Sequence, residues 1–177
     1  MDDKYRYKIR TLVVEDEEKI AASICGKISS LDEDFMIVGQ AANGKEALEK
    51  IEIFHPQVVF TDISMPEMDG MELAKQIRKS SPNMVIVIIS GYSDFSYARQ
   101  SIKYGVFNYL LKPLKEDELL ETMFDIKKSL SHFAVSEQRH MIYSDKFDVA
   151  PARPEFFLLS NICIGNVIYN VLDDEVL

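Results

Sequence analysis

The sequence contains few of the residues on which several common kinds of functional site depend. It has two cysteines, Cys25 and Cys163, and they fit neither a zinc site nor a redox motif. Its three histidines show no ligand spacing, and no glycine-rich loop that would cradle a nucleotide phosphate is present. We therefore expect two free thiols in a reducing compartment, without a metal held by imidazoles and without a nucleotide bound as phosphate donor.

A long apolar segment and an excess of positive charge are also lacking. The longest uninterrupted apolar run, MVIVII at 84–89, falls far below the roughly 20 residues that cross a bilayer. The N-terminal segment MDDKYRYKIR is charged and precedes no apolar stretch of signal-peptide length, so a cytoplasmic location without membrane contact is expected. A net charge of −9 argues against a nucleic-acid surface over the whole chain, so any DNA-reading part is expected elsewhere.

What the sequence does contain is an alternation of short apolar runs and longer amphipathic stretches. Between the runs, apolar residues recur at helical spacing, as in Ile20, Ile24 and Ile28. Strands are predicted at residues 9–14, 35–41, 57–61, 84–90 and 106–111. Their alternation with helices predicts an α/β fold, a doubly wound five-stranded parallel sheet covered on both faces. The 177 residues suit one such domain with a C-terminal extension.

Polar side chains follow or end four of the predicted strands. They are Glu15, Asp16, Asp62, Ser90 and Lys112. In open α/β sheets the carboxyl ends of the strands line the ligand-binding crevice, so this topology would bring all five to one edge. A single polar residue in such a position is explained as well by helix capping or solvation. Five residues of these types together indicate a site.

The chemistry of this set points to phosphate. Three neighbouring carboxylates repel one another, so the site either shifts a pKa or binds a divalent cation, and oxygen ligands suit Mg²⁺. One carboxylate would remain available as a nucleophile toward phosphorus. A lysine and a hydroxyl beside it would stabilise the oxygens of the transferred group. The set therefore predicts an aspartate that accepts a phosphoryl group.

Four segments carry a resemblance to a known family. LVVEDEE, VVFTDISMPEMDG, IISGYSDFSYA and GVFNYLLKPL occur in this order in the sequence. They resemble the signature segments of the receiver domain of two-component response regulators, and the resemblance covers residues 8–132. It implies a flavodoxin-like sheet with strand order 2-1-3-4-5.

The resemblance also assigns roles at the phosphate site. It implies that Asp62 is the phosphoacceptor and shares a Mg²⁺ ion with Asp16, which binds directly. Glu15 would help through water, and the backbone carbonyl of Ser64 would supply a further ligand. Lys112 would contact the phosphoryl group. The sequence departs from the family at Glu15, where aspartate is common, and the longer side chain bears on the metal affinity and not on metal binding itself.

Further roles concern switching and rate. The resemblance implies a cis peptide before Pro113, a switch hydroxyl at Ser90 and a switch aromatic at Tyr109. Once Asp62 is phosphorylated, Ser90 would move toward it and Tyr109 would swing inward, changing the face of the fourth helix, fifth strand and fifth helix. That face is the expected output surface and homodimer contact. Ser64 and Tyr92 occupy positions that, in the family, tune the rate at which the aspartyl phosphate is hydrolysed. Slow autodephosphorylation is therefore predicted. The presence of Tyr92 is equally explained by packing on the next helix.

Two functions from different classes remain open at this point. Residues 91–114 resemble receivers attached to AraC-type helix-turn-helix output domains, which favours a transcriptional regulator phosphorylated by a sensor histidine kinase. Residues 134–177 hold three basic and seven acidic residues, which fits no helix-turn-helix, so DNA would be contacted only through an output domain absent from this chain. The alternative is a stand-alone receiver that acts in a phosphorelay or by protein binding. A related aspartyl-phosphate hydrolase is disfavoured, because DISMP lacks a second aspartate two residues after Asp62. No enzyme activity is expected beyond Mg²⁺-dependent self-phosphorylation and slow autodephosphorylation.

The C-terminal third carries weaker signals. Apolar residues continue the fifth helix at heptad-like spacing: Leu119, Met123, Ile126, Leu130 and Phe133. The first three are expected to face the sheet, and the last two to form a dimer contact or signalling linker. Residues 133–155 are predicted to form an extended helix and linker. Residues 156–177 form an apolar tail, too interrupted by polar residues for a membrane span, that packs on the receiver, pairs with a second chain or begins an output domain.

Overall fold

The computed structural model describes the backbone of residues 8–91, 95–144, 161–164 and 167–170, and the side chains of residues 8–91, 97 and 99–131. The strands are β1 (Ile9–Val14), β2 (Phe35–Ala41), β3 (Val58–Thr61), β4 (Val85–Ser90), β5 (Asn108–Leu111), β6 (Asn161–Ile164) and β7 (Val167–Asn170). The helices are α1 (Glu18–Leu31), α2 (Gly44–Phe54), α3 (Gly70–Ser80), α4 (Phe95–Lys103) and α5 (Glu116–Ser144).

The first five strands form one parallel sheet in the order β2-β1-β3-β4-β5. This confirms the α/β fold and the strand order that the resemblance implies. The bounds of β1 and β2 agree with the sequence prediction, while β3 and β4 begin one residue later and β5 begins two residues later. Strand ends are in register, since Val14 pairs with Thr61 and Ser90 pairs with Leu111. The carboxyl ends of four neighbouring strands therefore meet at one edge.

Local signals place the helices that follow these strands. Before α2, the Asn43 side chain accepts a hydrogen bond from the amide of Glu46, whose carboxylate accepts one from the amide of Ala42, so the two caps are reciprocal. Before α3, the Asp69 side chain accepts from the amide of Glu72. Both helices therefore begin close to the carboxyl edge of the sheet.

Two apolar layers hold the helices on the sheet. One layer contains residues of α2 and α3 with Tyr109 of β5, and the other contains residues of α1 and α5. All six residues of β4 are buried, as expected for a strand covered on both faces. Alternate residues of each central strand thus contribute to opposite layers.

Helix α5 is the longest element, with 29 residues. Leu119, Met123 and Ile126 are buried on the sheet, as the sequence predicts, and Leu130 is partly buried against the same layer. The side chain of Phe133 lies outside the described residues. The helix runs through the predicted boundary at residues 132 and 133 and ends at Ser144.

Within the apolar tail, β6 and β7 form an antiparallel hairpin. The roles predicted for residues 133–177 stay predictions. None of the helices in the described part of the chain combines the length and the apolar character needed to cross a membrane.

Candidate functional site

The sheet edge brings together the five polar residues singled out in the sequence. Glu15 and Asp16 follow β1, Asp62 follows β3, Ser90 ends β4 and Lys112 follows β5. Backbone hydrogen bonds continue across the strand ends. The amide of Asp62 donates to the carbonyl of Val14 at 2.9 Å, and the amide of Lys112 donates to the carbonyl of Ser90 at 2.7 Å. The backbone therefore fixes where each of these side chains begins.

Three carboxylates form a compact acidic cluster at this edge. Glu15, Asp16 and Asp62 each present a carboxylate oxygen, and these oxygens all lie within 4.8 Å of one another. Glu15 and Asp62 are buried, whereas Asp16 is exposed. A cavity of about 180 Å³ lies next to the cluster and is lined by residues that include Glu15, Asp16, Gln40 and Glu46. The cluster is therefore reachable from solvent through Asp16.

Lys112 bridges two members of the cluster. Its Nζ donates to Glu15 Oε2 at 2.7 Å and to Asp62 Oδ2 at 3.0 Å. Burial raises the pKa of Glu15, and the hydrogen bond from Lys112 offsets this only in part. Burial also acts to lower the pKa of Lys112, but its hydrogen bonds and charge interactions with Glu15 and Asp62 together raise it above the ordinary value. The ammonium group therefore remains charged at neutral pH.

The Asp62 carboxylate is held at both oxygens. Oδ1 accepts a hydrogen bond from the amide of Ile63 at 2.7 Å, while Oδ2 accepts from Lys112. The carbonyl oxygen of Asp62 accepts from the hydroxyl of Thr61 at 2.8 Å. A carboxylate fixed in this way is oriented before any reaction, which is what nucleophilic attack requires.

The donor set fits a hard divalent cation. One ammonium group faces three carboxylates, so the cluster carries excess negative charge. Glu15 Oε1 is buried and has no hydrogen-bond partner among the described residues. Oxygen ligands with this excess charge suit Mg²⁺, which binds through few carboxylates and retains water. Ser64, whose carbonyl the resemblance adds as a ligand, is exposed two residues beyond Asp62.

Comparison with known proteins agrees with this geometry. The family profile described as the response regulator receiver domain matches residues 11–124. The chain belongs to this family. Receiver domains bind Mg²⁺ at an acidic pocket, which here is the cluster of Glu15, Asp16 and Asp62.

Individual relatives show what the receiver shares with larger and smaller proteins. It is 38% identical over 133 residues to the uncharacterized transcriptional regulatory protein YesN of Bacillus subtilis, covering 75% of this chain and 36% of that protein. It is 32% identical over 115 residues to the chemotaxis protein CheY of Listeria monocytogenes, covering 65% and 95% respectively. The solved REC domain of AraT, a response regulator from Geobacillus stearothermophilus, is 36% identical with a TM-score of 0.66, over 71% of this chain and 97% of that one. The chain thus spans about a third of the length of YesN.

The receiver's two predicted switch residues lie on neighbouring strands. Ser90 is fully buried at the end of β4, and Tyr109 on β5 pairs with Ile88 of β4. Only 1% of the Tyr109 surface is exposed, so the structure shows this side chain in its inward position. Its swing stays a prediction. The peptide before Pro113 is cis, and Tyr92 lies outside the described residues.

Sequence reasoning missed several groups that shape the receiver site. These are the hydroxyl of Thr61, the amide of Ile63 and the first residue of α3, Gly70, whose amide donates to the carbonyl of Ile63 at 2.9 Å. Two of them are backbone contacts, which no residue type reveals. The sequence did contain a signal for Gly70. Glycine is a poor helix former, so its presence directly after the N-cap Asp69 indicates that a side chain is not tolerated there.

Proposed function

We propose that this chain is the phosphoacceptor domain of a two-component response regulator, in which Asp62 takes a phosphoryl group from the phosphohistidine of a sensor kinase. The observation that carries the proposal is the position of Lys112 Nζ, 2.7 Å from Glu15 and 3.0 Å from Asp62, inside the acidic cluster. Sharing by two carboxylates is not enough by itself, because Lys127 also bridges Asp32 and Asp34 away from this site. What distinguishes Lys112 is the third carboxylate, Asp16, within 4.8 Å of the other two. A lysine shared by two buried carboxylates beside a third is suited to a group that brings further negative oxygens.

Several residues of the chain take part in the phosphoryl transfer, each in a different role. One oxygen of Asp62 attacks phosphorus, the bond from phosphorus to the donor nitrogen breaks, and the imidazole leaves. Lys112 is placed to follow the phosphoryl oxygens, because its ammonium group already lies on the Asp62 carboxylate. When bound, Mg²⁺ would neutralise negative charge on the phosphoryl oxygens, held by Asp16, Asp62 and the Ser64 carbonyl, with Glu15 acting through water.

Ser90 of β4 and Tyr109 of β5 would then respond to the phosphoryl group. Ser90 would gain a charge-assisted hydrogen bond to a phosphoryl oxygen, and the inward position of Tyr109 would be favoured. Phosphorylation shifts the equilibrium between the inward and outward positions of Tyr109 only as far as the phosphoryl group favours one position over the other. The affected surface is the face of α4, β5 and α5, which we propose as the output surface and as a homodimer contact formed on phosphorylation.

The test of the phosphoacceptor is intact mass after incubation with Mg²⁺ and a small acyl phosphate. We expect the mass of one phosphoryl group on the parent chain and none on Asp62→Asn. The matched control is Asp69→Asn, since asparagine also caps α3 and the residue is exposed. A phosphoryl increment on Asp62→Asn equal to that of the parent would sink the assignment. Chelation of Mg²⁺ is expected to abolish uptake.

The lifetime of the phosphate is a separate part of the proposal. We propose slow autodephosphorylation, tuned by Ser64 and by Tyr92, whose ring would shield the phosphoryl group from water. Tyr92→Ala should shorten the lifetime measured by loss of the mass increment. A longer lifetime in this variant would contradict the shielding role.

We further propose that the output is transcriptional and of the AraC type, in a cytoplasmic protein. The match to a transcriptional regulatory protein of which the chain spans 36% supports a larger regulator. The match across 95% of a CheY protein supports the alternative, a stand-alone receiver that acts in a phosphorelay or by protein binding. The reading frame downstream of codon 177 decides between them: a basic helix-turn-helix region supports the regulator, and its absence supports the stand-alone receiver.

A further inference from the structure

Strand β5 forms one of the two edges of the receiver sheet. It pairs with β4 on its inner side, and no other strand in the described part of the chain pairs with its outer side. An open strand edge is a ready site for a further strand, and proteins commonly cover such edges. Helices α4 and α5 pack on opposite faces of the sheet, so the outer edge of β5 lies in the middle of the α4, β5 and α5 face. A segment that covers this edge therefore restricts access to the proposed output surface.

The hairpin of the C-terminal tail lies beside this edge. Cα atoms of β6 lie within 8 Å of Cα atoms of β5, and β7 pairs with β6 on the other side. Hydrogen-bonded strands lie about 4.7–4.9 Å apart, and β6 does not belong to the ladder of the receiver sheet. The hairpin thus flanks β5 without extending the sheet.

The sequence of the tail also favours a hairpin that needs a neighbour. Ile164 pairs with Val167, and the residues between them in the sequence, Gly165 and Asn166, are of the kind found in two-residue hairpin loops. The strands read NICI and VIYN, which are rich in β-branched residues. A two-stranded hairpin alone is at best marginally stable in water. It requires a further strand or an apolar surface, and β5 is the strand beside which it lies.

The length of the chain allows the hairpin to reach β5 of its own chain. Thr122 of α5 accepts a hydrogen bond from Asn108 at the start of β5, and α5 ends at Ser144. The helix between Thr122 and Ser144 is about 33 Å long. Residues 145–160 can span up to about 53 Å, at about 3.3 Å per residue. The hairpin can therefore return to the level of β5 without a second copy.

We propose that the β6–β7 hairpin docks on the outer edge of β5 within the same chain and covers the α4, β5 and α5 face. A tethered segment meets this edge at a higher effective concentration than a second chain does, which favours the hairpin as the occupant. The consequence for signalling rests on the proposed function, in which this face is the output surface and the homodimer contact. A hairpin docked on two chains of every three would lower the apparent dimer affinity about ninefold, because both copies must be uncovered to pair.

A nitroxide attached to Cys163 of β6 tests where the hairpin lies. Cys25→Ala removes the other thiol of the full chain, and the nitroxide broadens the NMR signals of nearby amides. In the unphosphorylated chain we expect strong broadening of the amides of β5. The amides of β2 are the internal control and should stay sharp, because β2 forms the other edge of the sheet, about 19 Å from β5.

A mixed sample distinguishes docking within one chain from docking on a second chain. It contains isotope-labelled chains without nitroxide and nitroxide-bearing chains without isotope, so only contacts between chains broaden the observed signals. The β5 amides are expected to stay sharp in this mixture. Sharp β5 amides in the isotope-labelled chain that itself bears the nitroxide, or equal broadening in the mixture, would overturn the inference.

Ile162→Pro tests the covering role, because proline removes a backbone donor from β6 and disfavours a strand. The matched control is Ala150→Pro, since a residue before a proline, here Pro151, already favours the conformations that proline adopts. Ile162→Pro should abolish the broadening of β5, and Ala150→Pro should retain it. After phosphorylation, Ile162→Pro should dimerise about tenfold more tightly than parent and control in sedimentation velocity. Retained broadening in Ile162→Pro, or equal dimer affinities in all three chains, would overturn the cover.

Failure of the cover is distinguishable from failure of the proposed function. The broadening is measured without phosphodonor, so it does not depend on the reaction at Asp62. Phosphate uptake followed by intact mass should be the same in all variants, because none of the substitutions lies in the acidic cluster. If the parent took up no phosphate, the phosphoacceptor assignment would fail, and the broadening would still decide whether the hairpin docks on β5.

Discussion

Gly70 is predicted to be the glycine whose lack of a side chain matters most for the site. A Cβ at this position would lie 1.9 Å from the carbonyl oxygen of Asp62 and 2.9 Å from its carbonyl carbon. Both atoms are backbone, so no side-chain rotation relieves the overlap. Contacts of a Cβ below 3.0 Å are essentially never seen, so α3 and the Asp62 backbone would have to move apart by more than about 1 Å.

This displacement translates into two expected losses for Gly70→Ala. Overpacking against backbone costs about 3 kcal/mol of unfolding free energy, at the upper end of the usual range for inserted carbon atoms. A shift of about 1 Å in the backbone of the reacting residue slows the chemistry by about 10²-fold. Urea denaturation measures the first loss, and the rate of the phosphoryl mass increment from acyl phosphate measures the second.

Gly26→Ala is the matched control, because it makes the same chemical change in the middle of α1. A Cβ at Gly26 would have no neighbour within 4 Å. Alanine there should stabilise the chain by about 0.5–1 kcal/mol, because glycine loses more backbone entropy in a helix. Phosphate uptake should stay as in the parent. The reasoning would be refuted if Gly70→Ala were as stable and as reactive as the parent, or if the two substitutions changed stability in the same direction.

Three further predictions concern basic residues. Arg78 donates hydrogen bonds to the carbonyls of Pro82, Met84, Tyr104 and Gly105. Arg78→Met should therefore lower the unfolding free energy measured in urea by about 2–3 kcal/mol. The control is Lys79→Met at the neighbouring exposed residue, which should change this free energy by less than about 0.5 kcal/mol. Equal effects would contradict this role for Arg78. Lys112→Met should slow phosphate uptake by about 10²-fold and yet tighten Mg²⁺ binding in calorimetry, because it removes a positive charge from the acidic cluster. Weaker Mg²⁺ binding would show that Lys112 instead holds the carboxylates in place. Lys127→Met should cost about 1–2 kcal/mol, because it leaves Asp34 buried beside Asp32 without their shared ammonium group. The hydrogen bonds to Asp32 and Asp34 raise the pKa of Lys127 in the folded protein above the ordinary value of 10.5. The contribution of Lys127 to stability should therefore be complete below pH 10.5 and lost as the pH rises through the pKa of the folded state. If parent and variant were equally stable at neutral pH, this stabilising role of Lys127 would be excluded.

The centre of the sheet was predictable because β3 and β4 are buried on both faces. β1 and β2 were placed without error although neither is a continuous apolar run: β1 contains Arg10 and Thr11, and β2 contains Gly39 and Gln40. β5 begins later than its apolar run suggests. Val106 and Phe107 are apolar and precede it, but Val106 is bonded to Ser101 at the end of α4. An apolar run shows that a segment is buried and does not show where its ladder begins.

The acidic cluster was predictable for a different reason. Parallel strands align their carboxyl ends, so residues far apart in sequence, such as Glu15, Asp62 and Lys112, can be grouped once the strands are known. The backbone contacts that orient Asp62 were not predictable, because they come from the amide of Ile63 and from the path of the loop to α3. The sequence gives the chemical type of every side chain directly, whereas the direction in which a backbone amide points depends on the surrounding fold.

The surroundings of Tyr109 limit the kind of movement that phosphorylation could cause there. The backbone amide of Tyr109 is bonded to Asn108 Oδ1 at 2.8 Å, and Asn108 Nδ2 donates at 2.8 Å to the hydroxyl of Thr122 on α5. Thr122 in turn donates to the carbonyl of Glu118 within α5. One side chain thus ties the strand to the helix directly beside the switch residue. Because a shift of β5 along α5 would break the hydrogen bond from Asn108 to Thr122, rotation of the Tyr109 side chain on a fixed backbone is the less costly movement. A switch of this kind alters the surface of α4, β5 and α5 locally, through the position of the Tyr109 side chain and not through movement of the strand.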